Sequence, residues 1–270
     1  MNGVAIKKVA FGRVGDWENL VKGTIDQSAY AVDCVDFGEF DLALFDYAVP
    51  LTLQDSVVLR SRYGDRNAKY ILPDVKAAAL CADKKIFNER ILKSVYGWII
   101  PPMFHEAARV YPYVLKRRVQ LSGIETFVVR NATDEVSHAG RLGSYEYFCQ
   151  SYVPGKLEYA THMLLVDGRV VYHSTNAYEM AGDFMVKGNA MKPIRELIGI
   201  DIHLGLIEGF GNLLRMIGFN GICCIDYKIF DGRVRLLEVN PRVGFSLFRD
   251  INRFLSAYQN ALLDCFAWQT

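Results

Sequence analysis

Apolar residues in this chain fall into short runs broken by glycine, proline and aspartate. Over residues 1–75, Val4–Phe11, Ala31–Phe37 and Leu42–Val49 read as strands and Asp16–Ile25 as a helix. That alternation predicts a small α/β lobe with a parallel sheet. Gly12-Arg-Val-Gly15 lacks the third glycine of a dinucleotide fingerprint and reads as a strand-to-helix turn. Ser61–Asn67 is polar, a loop or a helix end. Pro73 opens a helical stretch, Asp74–Leu80, and Asp83 is a good cap for a second, Asp83–Tyr96. Gly97 ends that helix and Pro101-Pro102 forbid its continuation. Tyr113–Val119 is a strand, Gln120–Thr126 a loop, and Thr126–Arg130 resumes extended structure. Ser144–Tyr147 reads as helical, and Phe148–Gly155 as a short strand running into a turn. Glu158–Val166 and Arg169–Ser174 form a hairpin around Asp167-Gly168. Thr175–Pro193 is irregular. Apolar positions at helical spacing predict a helix over Ile194–Met216, stopped by Gly218, and a closing amphipathic helix over Asp250–Phe266.

A second hairpin carries the chemistry. Ile222–Ile229 and Val234–Val239 flank an Asp231-Gly232 turn signal, where glycine tolerates positive φ. Asp226, Glu238 and Asn240 interrupt its apolar pattern. Strand side chains alternate faces, so Glu238 and Asn240 share one. A two-residue turn pairs Ile225 with Glu238 and turns Asp226 away. A three-residue loop, Asp231–Arg233, pairs Asp226 directly with Glu238. The longer loop is expected here. Two carboxylates side by side on a half-buried sheet repel each other and are costly without a cation. Hard oxygen ligands of this kind suit Mg²⁺, which keeps positions for water and phosphate oxygens.

The chain has 270 residues, 51% of them hydrophobic, enough for a large core in two or three lobes. Its net charge of +1 gives no bulk argument for nucleic acid. No apolar run approaches the roughly 20 residues of a membrane span. The first residues lack the order of a secretory leader. Six scattered cysteines form no C-x-x-C pair and read as reduced, buried thiols of a cytoplasmic protein. His162 and His173 have no acidic partner at close spacing. They read as sheet-surface residues, not as a zinc site.

Asp226 followed by Glu238-x-Asn240-Pro241-Arg242 resembles the metal-binding end of the ATP-grasp fold. Ala82-Asp-Lys-Lys85 at a helix start resembles the entry to that domain, with Lys84 matching the basic residue that reaches the nucleotide phosphates. Lys116, an expensive residue in an apolar strand, matches the family's strand lysine. Ser122-Gly123 matches its phosphate-covering loop, with one glycine where many members have several. The run from Phe148 to Gly155 resembles the adenine hinge. An acidic residue opens that hinge in the family; Gln150 stands there here, able to accept from the adenine amino group. Backbone groups of Ser151 to Val153 complete adenine recognition, and Glu158 matches the ribose-binding position. Lys187, in the irregular loop, is expected to contact phosphate or the second substrate.

The resemblance spans residues from about 70 to 260. It implies two α+β lobes clasping ATP, preceded by a short α/β lobe. The expected division is 1–75, then an ATP-grasp domain over 76–270, with 76–148 the first nucleotide lobe and 149–270 the hinge and metal lobe. The implied chemistry is attack of a small carboxylate, an amino acid or peptide among the options, on the γ-phosphate of ATP. An acylphosphate and ADP form, and an amine, or less often a thiol or other nucleophile, then displaces phosphate. Asp226, Glu238 and Asn240 would hold Mg²⁺. Lys84 and Lys116 would bind phosphate oxygens, and Arg242 a phosphate or the acylphosphate. The expected partners are carboxylate and amine, with no nucleic acid and no membrane; a homodimer is left open. The alternatives are a regulatory ATP-binding module without ligase activity, or an ATP-grasp enzyme of other chemistry.

Overall fold

In the computed structural model, residues 5–104, 108–119, 125–187 and 192–266 are described. Strand β1 (Lys7–Gly12), helix α1 (Trp17–Thr24) and strands β2 (Tyr30–Val35) and β3 (Tyr47–Val49) build a parallel sheet of order β2-β1-β3. The run from Leu42 begins as a 3-10 turn, Leu42–Leu44, so only its end is strand. Helix α2 (Leu53–Tyr63) has little apolar periodicity and is not foreseen. It forms behind a reciprocal cap in which Thr52 and Asp55 satisfy each other's backbone N–H.

Helices α3 (Val75–Ala82) and α4 (Lys84–Leu92) follow, each opened by an aspartate cap, Asp74 and Asp83. Strands β4 (Met103–Phe104), β5 (Tyr113–Arg117) and β6 (Thr126–Val129), helix α5 (Ala132–Val136) and strand β7 (Tyr147–Ser151) come next. The strands pair antiparallel in the order β4-β7-β5-β6. The helix expected over Ser144–Tyr147 is a turn; helix forms upstream, where Asn131 caps α5.

The third sheet is antiparallel. Strands β8 (Leu157–Val166), β9 (Arg169–Glu179) and β10 (Arg195–Leu197), helix α6 (Leu204–Met216) and strands β11 (Gly221–Phe230) and β12 (Arg233–Asn240) give the order β10-β9-β8-β11-β12. Strand β9 runs past Ser174 to Glu179, and there it pairs with β10. The helical spacing read from Ile194 is therefore split: its first residues are an edge strand, and His203 caps the helix that follows. A 3-10 segment, Phe245–Asp250, leads into α7 (Ile251–Phe266).

The register of β11 and β12 corrects one expectation and keeps its consequence. The turn has two residues, with Phe230 opposite Arg233 and positive φ at Asp231 and Gly232. A bulge at Leu237 inserts one residue, so Asp226 still pairs with Glu238 and Cys224 with Asn240.

Packing divides the faces of this sheet. Met163, Leu165, Cys223, Ile225, Tyr227, Leu236 and Val239 bury one face against α3, α4 and α6. On the other face Leu164, Tyr172 and Ile222 join a core made by the first sheet, the 3-10 segment and α7. Tyr258 of α7 ties these parts together, accepting from Ile71 N at 2.7 Å and donating to Ala48 O at 3.0 Å. No helix among the described residues is long and apolar enough to cross a membrane.

Candidate functional site

What remains uncovered of that second face looks across a cavity of about 400 Å³ at the β5–β7 sheet. Alternation decides who faces it. Tyr113, Leu115, Val129 and Cys149 turn into the small sheet's own core. Val114, Lys116, Thr126 and Gln150 turn into the cavity. From the larger sheet come Glu158, Asp226, Lys228, Glu238 and Asn240.

Asp226 and Glu238 are direct cross-strand neighbours. Asn240 donates to both through Nδ2, at 3.0 Å to Asp226 and 2.9 Å to Glu238. Two lysines balance the charge. Lys187 Nζ lies 2.6 Å from Asp226 Oδ1 and 3.7 Å from Glu158 Oε1. Lys84 Nζ lies 3.3 Å from Glu238 Oε2. Burial pushes the Asp226 carboxyl up to about 7; Lys187 pulls against it, while Glu238 and Glu158 push the same way. Burial opposes ionisation of Glu238 as well, but Lys84, the Asn240 amide and Lys116 hold it below the usual carboxylate range. Lys187 is held charged, because Asp226 and Glu158 outweigh its desolvation.

Lys116 is buried on β5, donating to Gln150 Oε1 at 2.8 Å and to Leu237 O, the bulged residue of β12, at 3.3 Å. Burial lowers its pKa to about 8, with Glu238 opposing and Lys84 adding to the fall. Gln150 is fixed at both ends, since its Nε2 donates to Pro101 O at 3.0 Å. Ser151 N donates to Pro102 O at 2.8 Å. Lys228 is buried and donates to Val153 O at 3.3 Å and Gly155 O at 2.7 Å, bracing the turn after β7. Arg242 lines the cavity, with Nη1 donating to Val243 O at 3.1 Å. Among the described residues no carboxylate lies within ion-pair range of it.

Eight of the residues singled out from sequence thus line one cavity with backbone or side chain: Lys116, Gln150, Glu158, Lys187, Asp226, Glu238, Asn240 and Arg242, joined by Ser151 and Val153 at the hinge. Lys84 reaches it through Glu238. Ser122 and Gly123 lie outside the described residues. Tyr152 of the hinge also lines the cavity, as do Lys228 and Trp17, which were not singled out. Strand alternation marks Lys228, two residues after Asp226. His162 is a correction: it is fully buried, with Nε2 paired to Ser246 Oγ at 2.7 Å, because the turn after β12 covers it. Burial, then the charges of Lys187 and Arg242, push it down to about 3, so it stays neutral. His173 is partly buried on β9. Among the described residues no group of three His, Cys, Asp or Glu side chains is placed to hold a metal.

No protein-family model matches the chain. Among curated proteins it is 29% identical over 142 residues to the arginine-specific carbamoyl phosphate synthase large chain of Geobacillus stearothermophilus, a match covering 50% of this chain and 13% of that protein. The solved structures align over nearly all of it. D-alanine–D-alanine ligase from Bacillus anthracis complexed with ATP superposes with a TM-score of 0.60 at 14% identity, over 98% of this chain and 100% of that one. Biotin carboxylase from Campylobacter jejuni gives 0.66 at 14% identity, over 97% and 71%. L-amino acid ligase from Bacillus licheniformis gives 0.61 at 17% identity, over 96% and 74%. The chain has the ATP-grasp fold.

Whether an ATP-grasp metal set fits these residues is answered by the donors themselves. Three hard-oxygen side chains sit on adjacent strands, two of them carboxylates locked in register. The positive charge they require is supplied by lysines at their edges. A half-turn of the Asn240 amide exchanges its nitrogen for its oxygen. The set fits a divalent cation such as Mg²⁺.

Proposed function

We propose that this chain is an ATP-dependent, ADP-forming carboxylate–amine ligase. One observation carries the reading: Asp226 and Glu238 are paired in register, with Asn240 bonded to both, in the same cavity as the buried Lys116 and as Arg242, which has no carboxylate partner among the described residues. Phosphoryl transfer needs positioning and charge neutralisation more than covalent help, and these residue types supply both. Asp226, Glu238 and Asn240 would hold Mg²⁺, which when bound neutralises phosphate oxygens. Lys116 and Lys187 would meet the phosphates from opposite sides. The backbone around Ser151 and Val153, with Gln150 and Glu158, would hold the adenosine. Arg242, planar and forked, would bind the carboxylate that attacks or the phosphate being transferred.

The relative's name supports the class, since carbamoyl phosphate is itself an acyl phosphate. The fold neighbours include ligases that join amino acids. An amine acceptor and a reducing, cytoplasmic location belong to the same proposal. For the location the support is chemical: all six cysteines are free and five are buried.

The test is ADP release over a panel of amino acids and small carboxylates with Mg²⁺, ATP and hydroxylamine. The expected products are ADP, phosphate and a hydroxamate from the right acid. AMP and pyrophosphate would overturn the ligase assignment. Tight ATP binding without stimulated cleavage by any acid would favour the regulatory module.

A further inference from the structure

Away from the adenosine end, the cavity wall changes character. Trp17, brought in from α1, meets the ring of Phe245 edge-on with centroids 5.6 Å apart. Phe248, fully buried, braces the same indole from another side at 5.6 Å. Phe245 nevertheless leaves 55% of its surface open. A large aromatic ring left open beside a cavity gains free energy from any apolar group that covers it.

The turn that carries Phe245 is held in place. A Cβ added at Gly244 would stand 2.7 Å from His162 Cε1 and 3.2 Å from Cys224 Sγ, so only glycine lets this backbone seat on the sheet. The bond between His162 and Ser246 pins its far side. Arg242 starts the same turn, three residues from Phe245, and has no carboxylate partner among the described residues. Of the other charges lining the cavity, Lys192 and Glu196 are exposed and Glu196 is paired with Arg249 at 3.0 Å, while Glu158 and Asp226 face Lys187 and Glu238 faces Lys84. Among the described residues, the wall thus offers an anion site beside apolar rings and no unmatched carboxylate for a cationic side chain.

Resting on the ligase reading, we propose that the activated acid has a bulky apolar side chain, packed against Trp17 and Phe245, with its carboxylate toward Arg242. Phenylalanine, leucine and methionine are acids of this shape; glycine, alanine, aspartate and lysine are not.

The experiment measures kcat/KM for ADP release with each of these acids, with hydroxylamine as acceptor and the full chain as catalyst. The bulky apolar acids should exceed alanine by roughly tenfold or more, the scale set by a few buried methylenes. Phe245→Ala should reduce the ratio of phenylalanine to alanine by roughly 10- to 100-fold. A merely structural role would lower both acids together and leave the ratio fixed. Trp17→Phe, which keeps a ring against Phe248, should shift the same ratio less. Binding is read separately from tryptophan fluorescence in a Trp98→Phe, Trp268→Phe chain, where Trp17 alone reports. Bulky apolar acids should change it saturably, and glycine should not. If glycine or aspartate drives ADP release best, this inference falls while the ligase reading stands. If no acid stimulates cleavage but bulky acids still titrate Trp17, the ligase reading falls and the pocket stands. If neither cleavage nor fluorescence responds to bulky acids, the proposed pocket is wrong.

Discussion

The two faces of β11 differ by one residue and have opposite fates. Cys223, Ile225 and Tyr227 point into a core of aliphatic and aromatic side chains, and all three are fully buried. Cys224, Asp226 and Lys228 point the other way and are also buried, but among carboxylates, ammonium groups and backbone carbonyls. Burial alone therefore does not separate core from site here. Buried charge does, because it is expensive unless every member has a partner, and a strand with no task would not accumulate it. One face holds the lobe together; the other meets the cavity.

The largest effect expected on the structural face is that of Tyr227→Ala. Its ring stacks on Tyr159 at 5.1 Å and meets Phe210 edge-on at 5.1 Å. Denaturant unfolding should show a loss of about 3–5 kcal/mol, the cost of deleting a large buried aromatic. A loss below about 1 kcal/mol would mean that this face repacks and that the contrast between faces is shallow.

Across the cavity, Lys116→Ala should weaken ATP binding by roughly tenfold or more, for loss of the buried cation proposed to face phosphate. The wild type adds a pH signature. With a pKa lowered to about 8, Lys116 is charged below that pH and neutral above it, so ATP affinity should fall as pH rises through 8. The alanine variant should lose that step. Calorimetry at several pH values checks both.

A smaller effect concerns stability in a metal chelator. Asp226 sits near 3.8 when unfolded and is pushed up to about 7 when folded. Between those values the folded protein holds a proton that the unfolded chain does not. This group's contribution therefore declines as pH rises across that window and levels off above it. Asp226→Asn should flatten that part of the stability–pH curve. An unchanged slope would show that Asp226 is ionised throughout.

The residues that made the site legible are those where local chemistry is unambiguous. Asp231-Gly232 and Asp167-Gly168 both turn with positive φ, and Asp83 caps α4 as expected. Asp226 and Glu238 stood out because carboxylates in strands are costly. What stayed hidden depends on distant partners. The bulge at Leu237 has no sequence mark, so the pairing of Asp226 with Glu238 follows from a two-residue turn plus the bulge and not from a three-residue loop. Helix α2 was readable only from its Thr52 and Asp55 cap. His162 alternates onto the cavity face, but the chain that covers it, Gly244–Ser246, lies more than eighty residues away. Trp17 comes from a different sheet's helix, and no pattern near the acids points to it.

The central claim is that Asp226 and Glu238 hold a divalent cation for bound ATP. Calorimetric titration of ATP with and without Mg²⁺ tests it directly, in the wild type, Asp226→Asn and Glu238→Gln. Mg²⁺ should raise wild-type affinity by roughly tenfold or more, and each variant should lose that gain while its Mg²⁺-free affinity changes by less than about threefold. A full Mg²⁺ enhancement in both variants, with the fold intact, would contradict the account.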